Sequence, residues 1–102
     1  MQEFIFAFPL WVLMRDGRPA RITEADQPFV PLFTEEYLAE KFREQAGIPT
    51  DILPVKNATD LTALLRWIQA KKIDHIGLDP TDRSVPPVLS PIAEVLAVFE
   101  GT

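Results

Sequence analysis

Phe29-Val30-Pro31-Leu32-Phe33-Thr34-Glu35-Glu36-Tyr37-Leu38-Ala39-Glu40-Lys41-Phe42-Arg43-Glu44-Gln45-Ala46-Gly47 decides the fold of this chain. An apolar run meets a hydroxyl residue and two acids, then an amphipathic segment that closes on glycine. Thr34 has N-cap chemistry, because its hydroxyl can accept from an orphan N–H of a first helical turn. Glu35 and Glu36 place negative charge at the positive end of the helix dipole. With Thr34 as cap, Phe33 and Leu38 occupy the two positions of a hydrophobic staple. Leu38, Phe42 and Ala46 recur at helical spacing. Gly47 can take the left-handed backbone that ends a helix, and Pro49 blocks its continuation. The stretch predicts a strand over 29–33 and a helix over 35–46.

Towards the N-terminus, Thr23 to Pro28 reads as loop. Before it, Leu10-Trp11-Val12-Leu13-Met14 is rich in strand formers, and Asp16-Gly17 is a strong hairpin-turn signal, so residues 18 to 23 can return as a short second strand. Phe4, Phe6 and Phe8 alternate with Ile5 and Ala7. Residues 4–9 are therefore either a strand apolar on both faces or a first helical turn broken at Pro9. Residues 4–14 form an uncharged, largely apolar strip. It is too short for a membrane span, which needs about 20 residues. Met1-Gln2-Glu3 lacks the basic start of a signal peptide. The strip reads as a buried strand or a cover for the core, with an exposed partner-binding strip as the alternative.

Beyond Gly47, Asp51-Ile52-Leu53-Pro54-Val55 reads as a short strand, and Pro54 argues for an edge position or a bulge. Asn57 or Thr59 caps the next helix, with Asp60 in its first turn. Leu61, Leu64, Leu65 and Ile68 form its buried stripe, and Lys71 and Lys72 suit its last turn. Trp67 falls off that stripe, where it either flanks the core or contacts a partner. A strand follows over Ile73 to Leu78, then a loop from Thr81 to Pro87. Ser90 caps a last helix with Pro91 at its first position. Ile92, Val95, Leu96 and Phe99 make its stripe, and Gly101 can end it. The order is β-β-(β)-α-β-α-β-α, an α/β fold with a mixed sheet of about four or five strands and three helices. Strand-helix-strand crossovers predict parallel neighbours with one hand of connection.

Composition narrows function mainly by exclusion. A length of 102 residues suits one domain, 1–102, since two independent cores are hard to build at that size. The formal charge of -5 argues against a nucleic-acid surface, which needs concentrated basic charge. Arg66, Lys71 and Lys72 come nearest, and read as a solvated helix end. No cysteine is present, which removes disulfides, thiolate metal sites and cysteine nucleophiles and fits a reducing cytoplasm. Glycines at 17, 47, 77 and 101 cannot form a dinucleotide fingerprint or a phosphate loop. A single histidine, His75, cannot make paired-histidine metal motifs. Asp74 would point to the opposite face of the same strand, so the two are poorly placed for a serine triad.

Asp79-Pro80-Thr81-Asp82 is the one cluster with ligand chemistry. It follows a strand, and open α/β sheets bind ligands outside the carboxyl ends of their strands. Two carboxylates there could hold magnesium or a similar hard cation. The competing reading is a turn, in which such carboxylates bond their own backbone.

Trp11-Val12-Leu13-Met14, Val30 to Glu36, the Leu61 to Ile68 helix, and Ile76-Gly77-Leu78-Asp79-Pro80 together resemble the SseB-like N-terminal domain, a bacterial family named for an enhanced serine sensitivity phenotype. The resemblance spans roughly residues 10 to 100 and rests on hydrophobic, structural positions. It implies a small cytoplasmic α/β domain without assigned catalytic residues, sometimes part of a longer protein. No catalytic, cofactor or metal residues are assigned. The functional expectation is a non-enzymatic interaction module for protein or peptide, with a homodimer through the N-terminal apolar strip as a further possibility. The alternative is a small-ligand or metal-dependent enzyme using Asp79, Asp82 and His75. Trp67 is the further candidate for a partner contact.

Overall fold

A computed structural model describes residues 8–22, 27–47, 49–80 and 89–100. Leu10–Arg15 forms β1, and Asp16 and Gly17 turn the chain with φ of 54° and 75°. Positive φ at both central residues is the geometry that Asp-Gly favours in a tight hairpin. Arg18–Pro19 returns as β2, with Arg18 opposite Arg15 and Pro19 opposite Met14. The strand expected over 18–23 is thus shorter, and is extended only by an isolated pairing of Ile22 with Phe29. Val30–Phe33 is β3, buried along its whole length. Then come α1 (Glu36–Ala46), β4 (Asp51–Val55), α2 (Ala58–Ala70), β5 (His75–Leu78), β6 (Leu89–Pro91) and α3 (Ile92–Glu100).

The sheet is mixed and has six strands rather than four or five. The added strand is β6. Ser90 does not cap the last helix; it lies in this strand opposite Ile76, and Pro91 lies opposite His75. The Ile92 N–H donates to the Asp74 carbonyl at 2.8 Å. Local cap chemistry at Ser90-Pro91 is outweighed by a partner strand supplied from another part of the chain. The preceding strand also starts later than expected, at His75.

Strand directions follow from the pairings. β3 and β4 both run antiparallel to β1, which lies between them, and β5 runs parallel to β3. Helix α1 therefore carries the chain from β3 over β1 to the edge strand β4. Helix α2 brings it back over β1 and β3 to β5. Because the two crossovers travel in opposite directions, a shared hand requires their helices to lie on opposite faces. They do. Leu10, Val12, Val30, Leu32 and Ile76 pack with Leu61, Leu65 and Ile68 of α2 and Ile92, Val95 and Leu96 of α3. On the other face Leu13, Phe29 and Phe33 pack with Ala39 and Phe42 of α1. Alternate residues of β1 serve the two cores, as the period of a strand dictates.

Pro31 breaks the ladder at one point. Trp11 pairs with Phe33 and Val12 with Leu32, so the same register puts Pro31 opposite Leu13. Proline has no N–H to donate. The Leu13 carbonyl accepts instead from the Ala20 N–H at 2.7 Å. One edge of β1 is in this way shared by β3 and β2. Its other edge is taken by β4, whose Pro54 faces Trp11 and sits on the rim as expected for an edge strand.

Helix ends show which local signals prevail. Gly47 caps α1 with φ 66°, and its N–H reaches the Arg43 carbonyl at 3.0 Å. Asn57 caps α2, its side-chain oxygen accepting from the Asp60 N–H at 2.9 Å. Lys71 and Lys72 lie just beyond the last turn of α2, Lys71 at the C-cap and Lys72 with φ 66°. Thr34 does not cap α1. Glu35 holds that position and makes no side-chain cap bond. Phe33 meets Phe42, ring centroids 5.5 Å apart, and Leu38 packs against the same cluster, though with Glu35 as cap the two no longer hold the staple positions. Residues 4–7, Asp82 with its loop, and Gly101 lie outside the described residues.

Candidate functional site

What displaced the Thr34 cap is Asp79. It stands at the carboxyl end of β5 with φ 48°, a left-handed backbone that aspartate tolerates better than most residues. Its N–H donates to the Leu32 carbonyl at 2.8 Å, extending the β3–β5 ladder by one bond. Oδ1 accepts from the Thr34 N–H and Oδ2 from the Thr34 hydroxyl, each at 2.8 Å. An ionised acceptor makes the stronger bond, so the hydroxyl turns to the carboxylate and away from the helix. This pair sits where an open α/β sheet would hold a ligand, but both carboxylate oxygens are already engaged. Among the described residues no group of three or more potential metal ligands occurs.

His75 is at the opposite end of β5, half-buried, with its Nδ1 buried and without a hydrogen-bond partner among the described residues. Four residue steps along the strand separate it from Asp79, about 13 Å of backbone. The structure does not bring His75 and Asp79 together, and Asp82 lies outside the described residues.

Trp67 is different. It lies on α2 next to the buried Ile68 yet stays 37% exposed. The Lys71 Nζ sits 5.3 Å from its ring centroid, a cation–π contact worth about 0.5–1 kcal/mol at an exposed site. Trp67 and Lys71 form one wall of a cleft of about 100 Å³. Arg18, Pro19 and Arg21 form the other, and Val30, Ile68 and Ile73 complete the apolar lining. The hairpin turn at Asp16-Gly17 and the Leu13–Ala20 bond bring the two arginines to this place. Among the described residues, every charged residue lining the cleft is cationic, in a chain with a formal charge of -5.

A second, wider groove of about 710 Å³ runs between the β1–β2 turn and the end of α1. Arg15 and Arg43 line it together with Asp16 and Asp51, so no one sign of charge prevails. The Arg43 Nη1 is also occupied there, donating to the Thr50 carbonyl at 3.1 Å. The Trp67 cleft is the sharper candidate.

Arg18 and Arg21 were not legible as site residues in the sequence. The available signal was slight: two arginines flanking a proline on the return strand of a hairpin in an acidic chain. Comparison of the sequence with protein-family models gives no match, and comparison with curated proteins gives none either. No helix among the described residues is long and apolar enough to cross a membrane.

Proposed function

We propose that this chain is a non-enzymatic interaction module of the cytoplasm, and that it binds a protein partner through the face that carries Trp67. The observation that carries this reading is a tryptophan left 37% exposed beside a cationic cleft. Tryptophan and arginine are the side chains that most often dominate binding energy at protein interfaces. A metal-dependent reading would need Asp79, and its carboxylate is committed to Thr34. A homodimer through the N-terminal strip would have few side chains of β1 to use, because Leu10, Val12 and Leu13 are buried in the chain's own core and only Trp11 and Met14 of the strip's strand stay half-exposed. Kinship to the SseB-like domain is part of the same proposal and rests on the residues quoted for it.

Site-specific photocrosslinking tests the reading. Benzoylphenylalanine replaces Trp67 in one variant and Tyr37, which is 60% exposed on α1, in another. Crosslinking in native-host extract should give a discrete adduct from position 67 and none of that size from position 37. Equal or absent adducts at the two positions, with both variants folded by circular dichroism, would defeat the proposal.

A further inference from the structure

We infer that the Trp67 cleft is a receptor for a single carboxylate on an acidic segment of a protein partner, with an apolar neighbour of that carboxylate lying against the indole. The inference rests on the interaction-module reading and names the chemistry it would use.

Size comes first. Cofactor and small-molecule pockets run to about 300–1,000 Å³, whereas this cleft is about 100 Å³. That space takes one side-chain head group and excludes a nucleotide or a folded cofactor. Charge comes second. Arg18, Arg21 and Lys71 line the cleft without an acid among the described lining residues, and guanidinium groups match a carboxylate in plane and donor spacing. The apolar side comes third. Trp67, 37% exposed, offers flat surface next to the cations, so an aliphatic residue adjoining the carboxylate gains burial as the charge is paired.

The same geometry separates carboxylate from phosphate. Lys71 is the C-cap of α2, and the carboxyl end of a helix carries roughly half a unit of negative charge. That field opposes a doubly charged phosphate more than a singly charged carboxylate. Phosphate sites also commonly use the N–H groups of a helix N-terminus, and the end of α2 at this cleft is the opposite one. An arriving carboxylate draws Lys71 from the indole face, so binding is visible in the emission of Trp67.

The test uses the full chain with Trp11→Phe, which leaves Trp67 as the one indole. It is titrated with a capped Leu-Glu-Glu-Leu peptide, its Leu-Gln-Gln-Leu counterpart, a phosphoserine version and inorganic phosphate. The glutamate peptide should give a saturable emission change. Its affinity should fall about tenfold in the glutamine peptide and again in an Arg18→Gln, Arg21→Gln variant, and it should weaken as salt is raised. Equal binding of the glutamate and glutamine peptides, or unchanged binding in the double variant, would overturn the inference. Tighter binding of the phosphoserine peptide or of phosphate would overturn it in favour of a phosphate site. A position-67 crosslink that survives in the Arg18→Gln, Arg21→Gln background would reject the carboxylate and leave the interaction module standing. Loss of every position-67 crosslink in the unaltered background would reject both.

Discussion

Removing Asp79 should reveal whether Thr34 serves the sheet or the helix. The two residues are joined by two bonds of 2.8 Å, one to each carboxylate oxygen. A hydrogen bond to a charged group is worth about 1.5–3 kcal/mol where water is excluded. This pair is exposed to solvent, so about 1 kcal/mol per bond is the better figure. Asp79→Ala would lose both bonds and also force alanine into the left-handed backbone, at a further 1–2 kcal/mol or so. Asp79→Gly separates the two effects, because glycine accepts φ 48° freely. The glycine variant should therefore lose roughly 1–2 kcal/mol and the alanine variant roughly 2–4. Combining Asp79→Gly with Thr34→Val in a double-mutant cycle isolates the hydroxyl arm, with an expected coupling of about 0.5–1.5 kcal/mol. Urea denaturation followed by far-ultraviolet circular dichroism gives each stability. Additivity within about 0.3 kcal/mol would refute the latch. It would mean that the Thr34 hydroxyl serves the helix start regardless of Asp79.

Two further substitutions test the frame that holds the cleft. Gly47→Ala should cost about 1–2 kcal/mol from backbone strain alone, since among the described residues no atom beyond the chain neighbours lies within 4 Å of the added methyl; Gly47→Asn should cost clearly less, and equal losses in urea melts would contradict that account. Leu65→Ala removes a fully buried side chain of α2 from the core beneath Trp67 and should cost about 2–5 kcal/mol. A loss below 1 kcal/mol by thermal denaturation would show that α2 is not packed as described.

The parts of the fold that were legible in the sequence are those decided within a few residues. Asp16-Gly17, the Asn57 cap, the stripe Leu61-Leu65-Ile68 and the Gly47 terminator each need only their neighbours, and each is found where local chemistry places it. Thr34 misled because its competing partner is 45 positions away. An excellent local cap loses to a charged acceptor that only the finished β3–β5 pairing delivers. Strand β6 escaped for a similar reason. Ser90 and Pro91 carry helix-start chemistry, and nothing nearby shows that β5 offers them an open edge. For the site, Trp67 could be singled out by its angle on the helix. Arg18 and Arg21 could not, because their approach to α2 depends on how two strands share one edge of β1.

That sharing begins with an absent hydrogen. If residue 31 carried an N–H, the Leu13 carbonyl would have a donor on β3, and β1 and β3 could zip one step further. Ala20 would then compete for its acceptor, and the short return strand bearing Arg18 would lose its anchor. The cationic wall of the cleft is thus held in place by a fully buried proline that is not among the residues lining it. Affinity at this surface can be set from inside the sheet, by deciding which strand is allowed to close.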